Sequence, residues 1–302
     1  MAERAIDPRS IIALPSDLIM PGTLYLVATP IGNLEDITLR ALRVLNEADL
    51  IACEDTRHTR KLLAHYNIAK PTISYHEHNE RERAGQLVER LQSGGTIALV
   101  SDAGMPLVSD PGYVIVRLCA EQGISVVPLP GPSALITALA ASGLPTNQFT
   151  FGGFLPARRA ARRARLAEFA RLNSTLIFYE APHRIKETVA DARELLGNRQ
   201  SVIARELTKL HEQFIRGSLS DLELAEGAAR GEIVLLIGPP DDGEGEGEPA
   251  APRSILEEIE AIMRDEGLDR KSALKRVARA RRISKSDAYR LALAEQSEND
   301  VK

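Results

Sequence analysis

The sequence predicts an α/β protein made of two α/β domains followed by a small C-terminal helical module. Short apolar strands alternate with helical patterns in the first part of the chain, a second group of strands follows, and an acidic segment then precedes a helical region. The 302 residues are enough for two domains of roughly 100–200 residues each. A hydrophobic fraction of 44% with 26% charged residues is typical of a globular protein with a real core.

The first predicted domain, residues 22–145, alternates strands with amphipathic helices. Its clearest helical patterns span residues 39–48 and 79–92. Alternation of this kind favours a mainly parallel sheet that is covered by helices. The strand candidates are LYLVA (24–28), LIAC (50–53), TIALV (96–100) and SVVPL (125–129).

The second predicted domain, residues 146–238, begins beyond the turn sequence SGLPTNQ (142–148). Consecutive strands lie closer together here than in the first domain, so we expect a sheet with mixed pairing. The strand candidates are TLIFYE (175–180), SVIARE (201–206), EQFIRG (212–217) and EIVLLI (232–237).

The last part of the chain divides into a linker and a tail. Residues 239–252 are rich in acids, glycine and proline and have almost nothing to bury, which predicts a flexible acidic Gly/Pro linker. Residues 253–302 predict three short helices that resemble a helix-turn-helix module. We expect Ser272 and Ser284 (or Ser286) to cap two of them.

Composition argues against several classes of protein. No apolar run approaches the roughly 20 residues of a membrane span. Residues 1–21 contain acids and prolines and lack a signal-peptide apolar block, so we expect a flexible N-terminal arm on a cytoplasmic protein. Cys53 and Cys119 are far apart within apolar patterns, which indicates buried thiols rather than a disulfide framework. Histidines and cysteines are not grouped at metal-ligand spacing, so no metal is expected.

Four polar or glycine-rich loops follow the strands of the first domain. In an open parallel sheet, ligands lie at the carboxyl ends of the strands. Glycines let backbone groups approach a ligand closely, and helices that begin there offer free N–H donors. The four loops together predict a nucleotide-like cofactor, although the chain has neither a phosphate-binding loop nor a G-x-G-x-x-G motif. Their sequences are TPIGNLEDIT, EDTRHTRKLL, SDAGMPLVSDPGY and PGPSALITAL.

Basic residues are concentrated in two runs despite a net charge of −4. The sequence ARRAARRAR spans residues 157–165, and residues 270–285 carry eight lysines or arginines and no acid. Such runs favour phosphate contacts with a nucleic acid, whose affinity falls steeply with salt. The alternative for either run alone is a solvated helix face.

Several longer segments carry a resemblance to a known family. They resemble the rRNA branch of the tetrapyrrole methylase family, the ribosomal RNA small subunit methyltransferases I. The resemblance covers about Gly22 to Ile237, and EDTRHT with SDAGxP makes it specific. The segments include LYLVATPIGNLEDIT, EDTRHTRKLL, ALVSDAGMPLVSDPGY, VVPLPGPSALITALAASGLP, GFLPA, LIFYEAPHRI and ARELTKLHE.

The resemblance implies S-adenosylmethionine as cofactor, bound in a cleft between two α/β domains of the tetrapyrrole methylase type. One departure concerns the third loop, where relatives usually read SDAGTP and this chain has Met105. A backbone contact would survive that change, whereas a hydroxyl hydrogen bond would not. The implied cofactor residues are Pro30, Asp102, Gly104, Met105, Val108, Ser133, Ala134 and Tyr179, with Leu207 and Ile233 from the second domain.

The implied reaction is transfer of a methyl group to the 2′-hydroxyl of a cytidine ribose in small-subunit (16S) rRNA. A ribose hydroxyl is a poor nucleophile, so polar groups at strand ends are candidates to help it. They are Asp55, Glu180 and His183. The alternatives are that Asp55 only pairs with Arg57 or Arg60, and that Glu180 and His183 only bond each other or cap the helix behind them.

The RNA itself is expected to bind through cations. Arg57 is a candidate for a bidentate phosphate contact, and the tail is expected to supply positioning rather than sequence readout. The predicted RNA-binding residues are Arg57, Arg60, Arg158, Arg159, Arg162, Arg163, Lys275, Arg276 and Arg279.

Two other functions remain open from the sequence. The chain could methylate a carbon of a tetrapyrrole, but a small-molecule enzyme has no evident use for an acidic linker and a basic tail. It could also be an RNA-binding relative without catalysis, which the complete set of loops speaks against and Met105 keeps open. Members of the family are usually homodimers, so the resemblance implies a homodimer.

Overall fold

A computed structural model describes residues 22–222, 231–240, 254–266, 268–281 and 283–299. The N-terminal arm and nearly all of the acidic linker lie outside the described residues. The chain forms two compact units that divide at Asp241 and Asp242. None of the helices in the described ranges is both long and apolar enough to cross a membrane.

The first sheet is parallel throughout, with strand order β3-β2-β4-β1-β5. The predicted parallel sheet is confirmed, and each of its four predicted strands is found within one residue of the prediction. The edge strand β3 is an addition. The strands are β1 Thr23–Val27, β2 Leu50–Cys53, β3 Thr72–Ser74, β4 Ile97–Val100 and β5 Ser125–Leu129.

Both faces of this sheet are covered, because side chains alternate between two apolar clusters. Along β4, Ile97 and Leu99 belong to one cluster, whereas Ala98 and Val100 belong to the other. Strands buried on both faces are near-continuous apolar runs, as these are. The thiols of Cys53 and Cys119 are free and buried, one in each cluster, as predicted. The covering helices are α1 Leu39–Glu47, α2 Thr56–His65, α3 Glu80–Gln92 and α4 Tyr113–Glu121, and α5 Ala134–Ser142 follows β5.

The second sheet has the order β6-β7-β10-β8-β9, and its predicted mixed pairing is confirmed. Only β6 and β7 run parallel, while the other neighbours are antiparallel. Along β10, Leu235 faces the cluster beneath the flanking helices, and Leu236 faces a cluster that includes Leu139 of α5. Helix α5 of the first domain therefore packs on the second sheet and fixes the cleft between them. The elements are β6 Phe149–Phe154, α6 Arg159–Phe169, β7 Thr175–Glu180, α7 Ile185–Leu196, β8 Gln200–Arg205, β9 Gln213–Ser218 and β10 Ile233–Ile237.

The C-terminal unit contains three helices around its own small apolar cluster. Ser284 caps the third helix by accepting a hydrogen bond from the backbone N–H of Asp287 (3.1 Å), as predicted. The predicted cap at Ser272 is wrong, because the helix begins two residues earlier and Asp269 accepts from the Ser272 N–H (3.1 Å). The helices are α8 Ile255–Glu266, α9 Arg270–Ala280 and α10 Lys285–Asn299.

Candidate active site

The loops that follow β1 and β4 are joined at the carboxyl edge of the first sheet. Thr29 and Gly104 exchange two backbone hydrogen bonds of 2.9 and 3.0 Å. The Thr29 hydroxyl donates to the carbonyl of Ser101, and the Ser101 hydroxyl donates to the carbonyl of Gly104. These hydrogen bonds hold the two loops together, and we call the joined loops the floor of the site. The floor lies at the edge of the sheet where the fold predicts a ligand.

The loop after β2 is attached to the same floor. The backbone N–H of Asp55 donates to Oδ1 of Asp102 at 3.2 Å. The Asp55 carboxylate caps α2 by accepting from the Arg57 N–H, and it also accepts from the Arg57 guanidinium (2.8 Å). These hydrogen bonds lower the pKa of Asp55 well below its usual range. The Asp55 carboxylate is thus ionised at neutral pH and paired with Arg57, the alternative that the sequence left open, and its catalytic role stays a prediction.

A narrow cavity of about 90 Å³ lies between the two domains. Its walls come from the loop after β4, the start of α5, strand β7 and strand β10, so each half of the fold contributes to it. The lining residues are Ile31, Ala103, Gly104, Met105, Val108, Ser109, Asp110, Ser133, Ala134, Phe154, Tyr179, Glu180, Glu232, Ile233 and Val234.

The loop after β4 has an unusual backbone. Leu107 (φ 72°) and Ser109 (φ 67°) adopt the left-handed region, which costs side-chain-bearing residues energy, and Gly104 (φ 88°) lies there too. Strained residues of this kind cluster at ligand sites, where the surrounding structure holds them in place. The observed strain agrees with a loop that is shaped to surround a ligand.

Met105 occupies the position where relatives usually carry threonine. Its side chain packs, partly buried, against the apolar cluster of the first domain that includes Leu99 and Ile115, and it lines the narrow cavity. A thioether adapts well to irregular apolar gaps. The substitution therefore keeps the loop in place by packing, without a hydroxyl hydrogen bond.

Helix α5 presents its N-terminus to the cavity through Ser133 and Ala134. Ser133 is the N-cap residue, yet its side chain makes no capping hydrogen bond, which leaves the hydroxyl and the first N–H groups of the helix for a ligand. The preceding turn requires Gly131, because a Cβ there would lie 2.7 Å from Cβ of Ala28. Only glycine allows the loop to approach β1 this closely.

The second domain provides an aromatic wall. Tyr179 stacks edge-on against Phe151 and Phe154, with centroids 4.9 and 5.5 Å apart. Burial raises the pKa of Tyr179 to about 12, so its phenol is neutral at physiological pH. Phe154 remains largely exposed at the cavity mouth. The wall suits a flat heterocycle, since aromatic faces and edges pair favourably.

An acidic group faces this wall. Burial, together with the nearby carboxylates of Glu54, Asp102 and Glu232, raises the pKa of Asp110 to about 7. Burial and Asp102 also raise the pKa of Glu54. Negative potential of this kind favours a cationic ligand. Asp110 and Glu232 are not among the predicted residues; the only signal for Asp110 in the sequence is the second Ser-Asp-Pro-Gly of the loop.

A wider cavity of about 690 Å³ adjoins the narrow one. Ile31, Ala103 and Glu232 line both cavities. A ligand in the narrow cavity would therefore lie next to a ligand in the wider cavity. The remaining lining of the wider cavity comes from the loop after β1, from α2, from Asp102 in the loop after β4 and from the second domain. These residues are Thr29, Pro30, Gly32, Leu34, His58, Lys61, Leu62, His65, Asp102, Lys209 and Gly231.

The predicted cofactor residues divide between the two cavities. Pro30 and Asp102 line the wider cavity rather than the narrow one. Leu207 lines neither, because its side chain is buried in the apolar cluster beneath the second sheet, so its predicted contact is corrected. The other seven line the narrow cavity: Gly104, Met105, Val108, Ser133, Ala134, Tyr179 and Ile233.

Glu180 and His183 do not act as a pair. Glu180 is buried, and its carboxylate accepts from the Ala181 N–H (2.8 Å), the Thr188 hydroxyl (2.6 Å) and the Arg184 guanidinium (3.2 Å). A carboxylate with these partners anchors the start of α7, and Glu180 also lines the narrow cavity, so its catalytic role stays a prediction. His183 is exposed and lines neither cavity, so the structure gives its predicted catalytic role no support.

The first basic run is neutralised by α7. Arg162 is 1% exposed, and its Nε donates to Oδ2 of the equally buried Asp191 at 2.8 Å. Arg159 and Arg163 also bond to Asp191, each at 3.1 Å. The prediction that Arg162 binds RNA is wrong, because a buried, paired guanidinium cannot reach a phosphate. Arg158, at the start of α6, is exposed.

The other predicted RNA-binding cations lie on α2 and α9. Arg57 is exposed and paired with Asp55, and Arg60 donates to the Thr72 hydroxyl at 3.2 Å. Lys275 and Arg276 are exposed on α9. Arg279 belongs to the same helix, but its side chain lies outside the described part of the chain.

Comparisons with known proteins agree with this architecture. The family of tetrapyrrole (corrin/porphyrin) methylases matches residues 23–223. Proteins called ribosomal RNA small subunit methyltransferase I are 49% identical in Halalkalibacterium halodurans and 50% identical in Vibrio cholerae, and each match covers 89% of this chain and 94% of the relative.

Solved structures support the fold at much lower identity. Diphthine synthase aligns with a TM-score of 0.58 at 15% identity, over 72% of this chain and 90% of the other. Uroporphyrin-III-C-methyltransferase from Thermus thermophilus gives 0.52 at 22% identity, over 72% and 94%. These likenesses establish the shared architecture of two α/β domains and nothing about the substrate.

Proposed function

The chain belongs to the tetrapyrrole methylase family, in the branch of the ribosomal RNA small subunit methyltransferases I, and we propose that it methylates the 2′-hydroxyl of a cytidine ribose in small-subunit (16S) rRNA. It is an S-adenosylmethionine-dependent enzyme of this family. The observation that carries the proposal is the pair of adjoining cavities, one narrow and acidic, the other wide and bordered by cations.

Residues of the narrow cavity match individual groups of S-adenosylmethionine in charge and shape. The cofactor carries a positive sulfur and an ammonium group, which suit the negative potential around Asp110. Its carboxylate suits the free N–H groups at the start of α5, behind Ser133. Its adenine suits the wall formed by Phe154 and Tyr179. Bound there, it supplies an activated methyl group.

The protein's own task is then to align a ribose hydroxyl with that methyl group. Effective alignment alone supplies much of the rate enhancement in such transfers. Among the described lining residues, Glu232 is the titratable group that borders both cavities. We assign it the role of accepting the hydrogen bond from the 2′-hydroxyl and holding that proton as the methyl is transferred. Asp102 attaches the loop after β2 to the floor by accepting a hydrogen bond from the Asp55 N–H.

The reaction is tested with methyl-labelled S-adenosylmethionine and three substrates: small ribosomal subunits that lack the modification, naked 16S rRNA and a tetrapyrrole precursor. Digestion of the RNA to nucleosides should give labelled 2′-O-methylcytidine. Label in the tetrapyrrole alone, or on a base, would overturn the proposal. Absence of label from all three would favour the non-catalytic RNA-binding alternative.

The role of Glu232 has a separate test. In Glu232→Gln, single-turnover methylation should slow by about 10²-fold or more, in the range of general acid–base contributions, while cofactor affinity stays within about twofold. Glu180→Gln should instead lower stability. An unchanged rate in Glu232→Gln would remove the assignment.

We further propose a cytoplasmic homodimer. Several large apolar side chains are exposed on the first unit, including Tyr113, Ile136, Phe154 and Leu210, and they offer surface for a second copy. Sedimentation velocity should show a species of twice the mass of the 33.0 kDa chain. A monomer at micromolar concentration would contradict this.

A further inference from the structure

Helix α2 lines the wider cavity with a single face. His58, Lys61, Leu62 and His65 are three or four residues apart, the spacing of neighbours on one side of a helix. Both histidines and the lysine are exposed into the opening. Arg57 and Arg60, which lie on the same helix, do not line the cavity and bond to Asp55 and Thr72 instead.

Lys61 differs from the other lysine of this cavity. Lys209 forms an ion pair with Glu206 at 3.1 Å, whereas no carboxylate in the described part of the chain pairs with Lys61. An unpaired ammonium at a cavity wall is a ready partner for an anion.

Charge is graded across the wider cavity. Glu232 lies where it meets the narrow cavity, Asp102 also lines the wider cavity, and the basic face of α2 lies on another wall. A ligand with neutral hydroxyl groups at one end and an anion at the other matches this gradient. The volume of the wider cavity, about 690 Å³, falls within the range of roughly 300–1,000 Å³ that is usual for ligand sites.

We infer that the wider cavity holds one nucleotide extruded from the RNA, with a phosphate next to that nucleotide bound by Lys61 and flanked by His58 and His65. This inference rests on the proposed function and deepens it, since it states how the substrate enters. Enzymes that do chemistry on a base commonly extrude its nucleotide from the helix into a cavity, and a ribose that must enter this cavity requires the same displacement. The ribose then faces Glu232, and the phosphate faces α2.

The first test uses a small probe and needs no catalysis. Cytidine 3′,5′-bisphosphate and cytidine are titrated calorimetrically into the full chain in the presence of S-adenosylhomocysteine. The bisphosphate should bind about tenfold more tightly than cytidine, because charge-assisted hydrogen bonds to the phosphate add to affinity. Lys61→Ala should abolish that difference and Lys61→Arg should retain it. Lys186→Ala is the control, because Lys186 is exposed on α7 and lines neither cavity.

The second test measures methylation of the small subunit. Lys61→Ala should lower kcat/KM about tenfold through KM and leave cofactor affinity unchanged. Equal binding of both probes to the natural protein, or equal binding of the bisphosphate to Lys61→Ala, would overturn the inference. If the bisphosphate binds through Lys61 but no rRNA is methylated, the proposed function fails while the phosphate site stands.

Discussion

Helices α6 and α9 are both rich in basic residues, yet they use their cations in opposite ways. On α6, Arg159, Arg162 and Arg163 all bond to Asp191 of α7. The Asp191 side chain is almost fully buried. On α9, Lys271 and Lys275 extend into solvent. One helix uses its charges to hold the second domain together, and the other presents them at the surface.

The difference shows that a basic run identifies charge but not its availability. Availability is decided by acids elsewhere in the sequence, here on α7. Lys271 of α9 and Lys285 of α10 line a groove of about 490 Å³ with Tyr289, whose exposure is 56%. Cations beside an exposed aromatic ring are typical of surfaces that bind unpaired nucleic acid.

The largest effect is expected from breaking the α6 cluster. Arg162→Ala should lower the free energy of unfolding by about 3–5 kcal/mol, because it leaves Asp191 buried without its closest partner. Urea-induced unfolding measures this. Arg158→Ala, at the exposed start of the same helix, is the control and should change stability by about 0.5 kcal/mol or less.

The same cluster should give a dependence of stability on pH. Burial alone would raise the pKa of Asp191, but hydrogen bonds from Arg162, Arg159 and Arg163 outweigh it and lower the pKa. Because the pKa of Asp191 is lower in the folded protein than its ordinary value near 3.8, the ionised carboxylate stabilises the fold above that value. This stabilisation is lost as the pH falls through the pKa of the folded state. Stability that stayed constant from pH 5 down to pH 2 would contradict this account.

The second effect concerns the tail. Deletion of residues 240–302 should weaken binding to the small subunit by about tenfold or more, because phosphate contacts supply much of the affinity for RNA. Cofactor affinity should be unchanged, since neither cavity of the first unit includes a tail residue among those described. Filter binding and calorimetry measure the two affinities. Unchanged RNA affinity would show that the exposed cations of α9 are only a solvated face.

The third effect tests the acidic wall. Asp110, with a pKa of about 7, is neutral below that pH, and a cationic cofactor favours its ionised form. S-adenosylmethionine should therefore bind more tightly as pH rises from 6 to 8, by about tenfold, with release of a proton. Calorimetry in buffers of different ionisation enthalpy detects that proton. Asp110→Asn should remove the pH dependence, and its persistence in the variant would point to another group.

The smallest effect separates the two helices directly. Lys271→Ala with Lys275→Ala should weaken RNA binding several-fold and lower the slope of log affinity against log salt by about one for each phosphate that the variant no longer neutralises. Arg159→Ala with Arg163→Ala should leave that slope unchanged and lower stability instead. The opposite result would mean that α6 binds RNA despite its ion pairs.

Much of the fold was predictable, because the central strands are apolar runs bounded by turns. The two strands that were missed, β3 and β6, both lie at sheet edges. The sequence TIS of β3 is too short for a pattern, and FTFGGF of β6 contains two glycines and a register shift between Phe151 and Gly153.

The site was predictable where it follows a local rule and not where it depends on distant segments. Loops at the ends of parallel strands predicted where a ligand lies, and the family resemblance supplied the seven predicted residues that line the narrow cavity. The perturbed pKa of Asp110 arises from Glu54, Asp102 and Glu232, which three separate segments bring together. The burial of Arg162 depends on Asp191, 29 residues further along the chain. Neither the perturbed pKa of Asp110 nor the burial of Arg162 can be predicted from the residues next to them in the sequence.

The central claim is that the nucleotide to be methylated occupies the wider cavity beside the cofactor. A photo-reactive amino acid in place of Leu62, which lines that cavity without carrying charge, tests it on small subunits that lack the modification. Crosslinks should map to the methylated cytidine or its immediate neighbours, while the same group in place of Lys275 should map to another part of the rRNA. Crosslinks from position 62 that lie away from the methylated nucleotide would contradict the account.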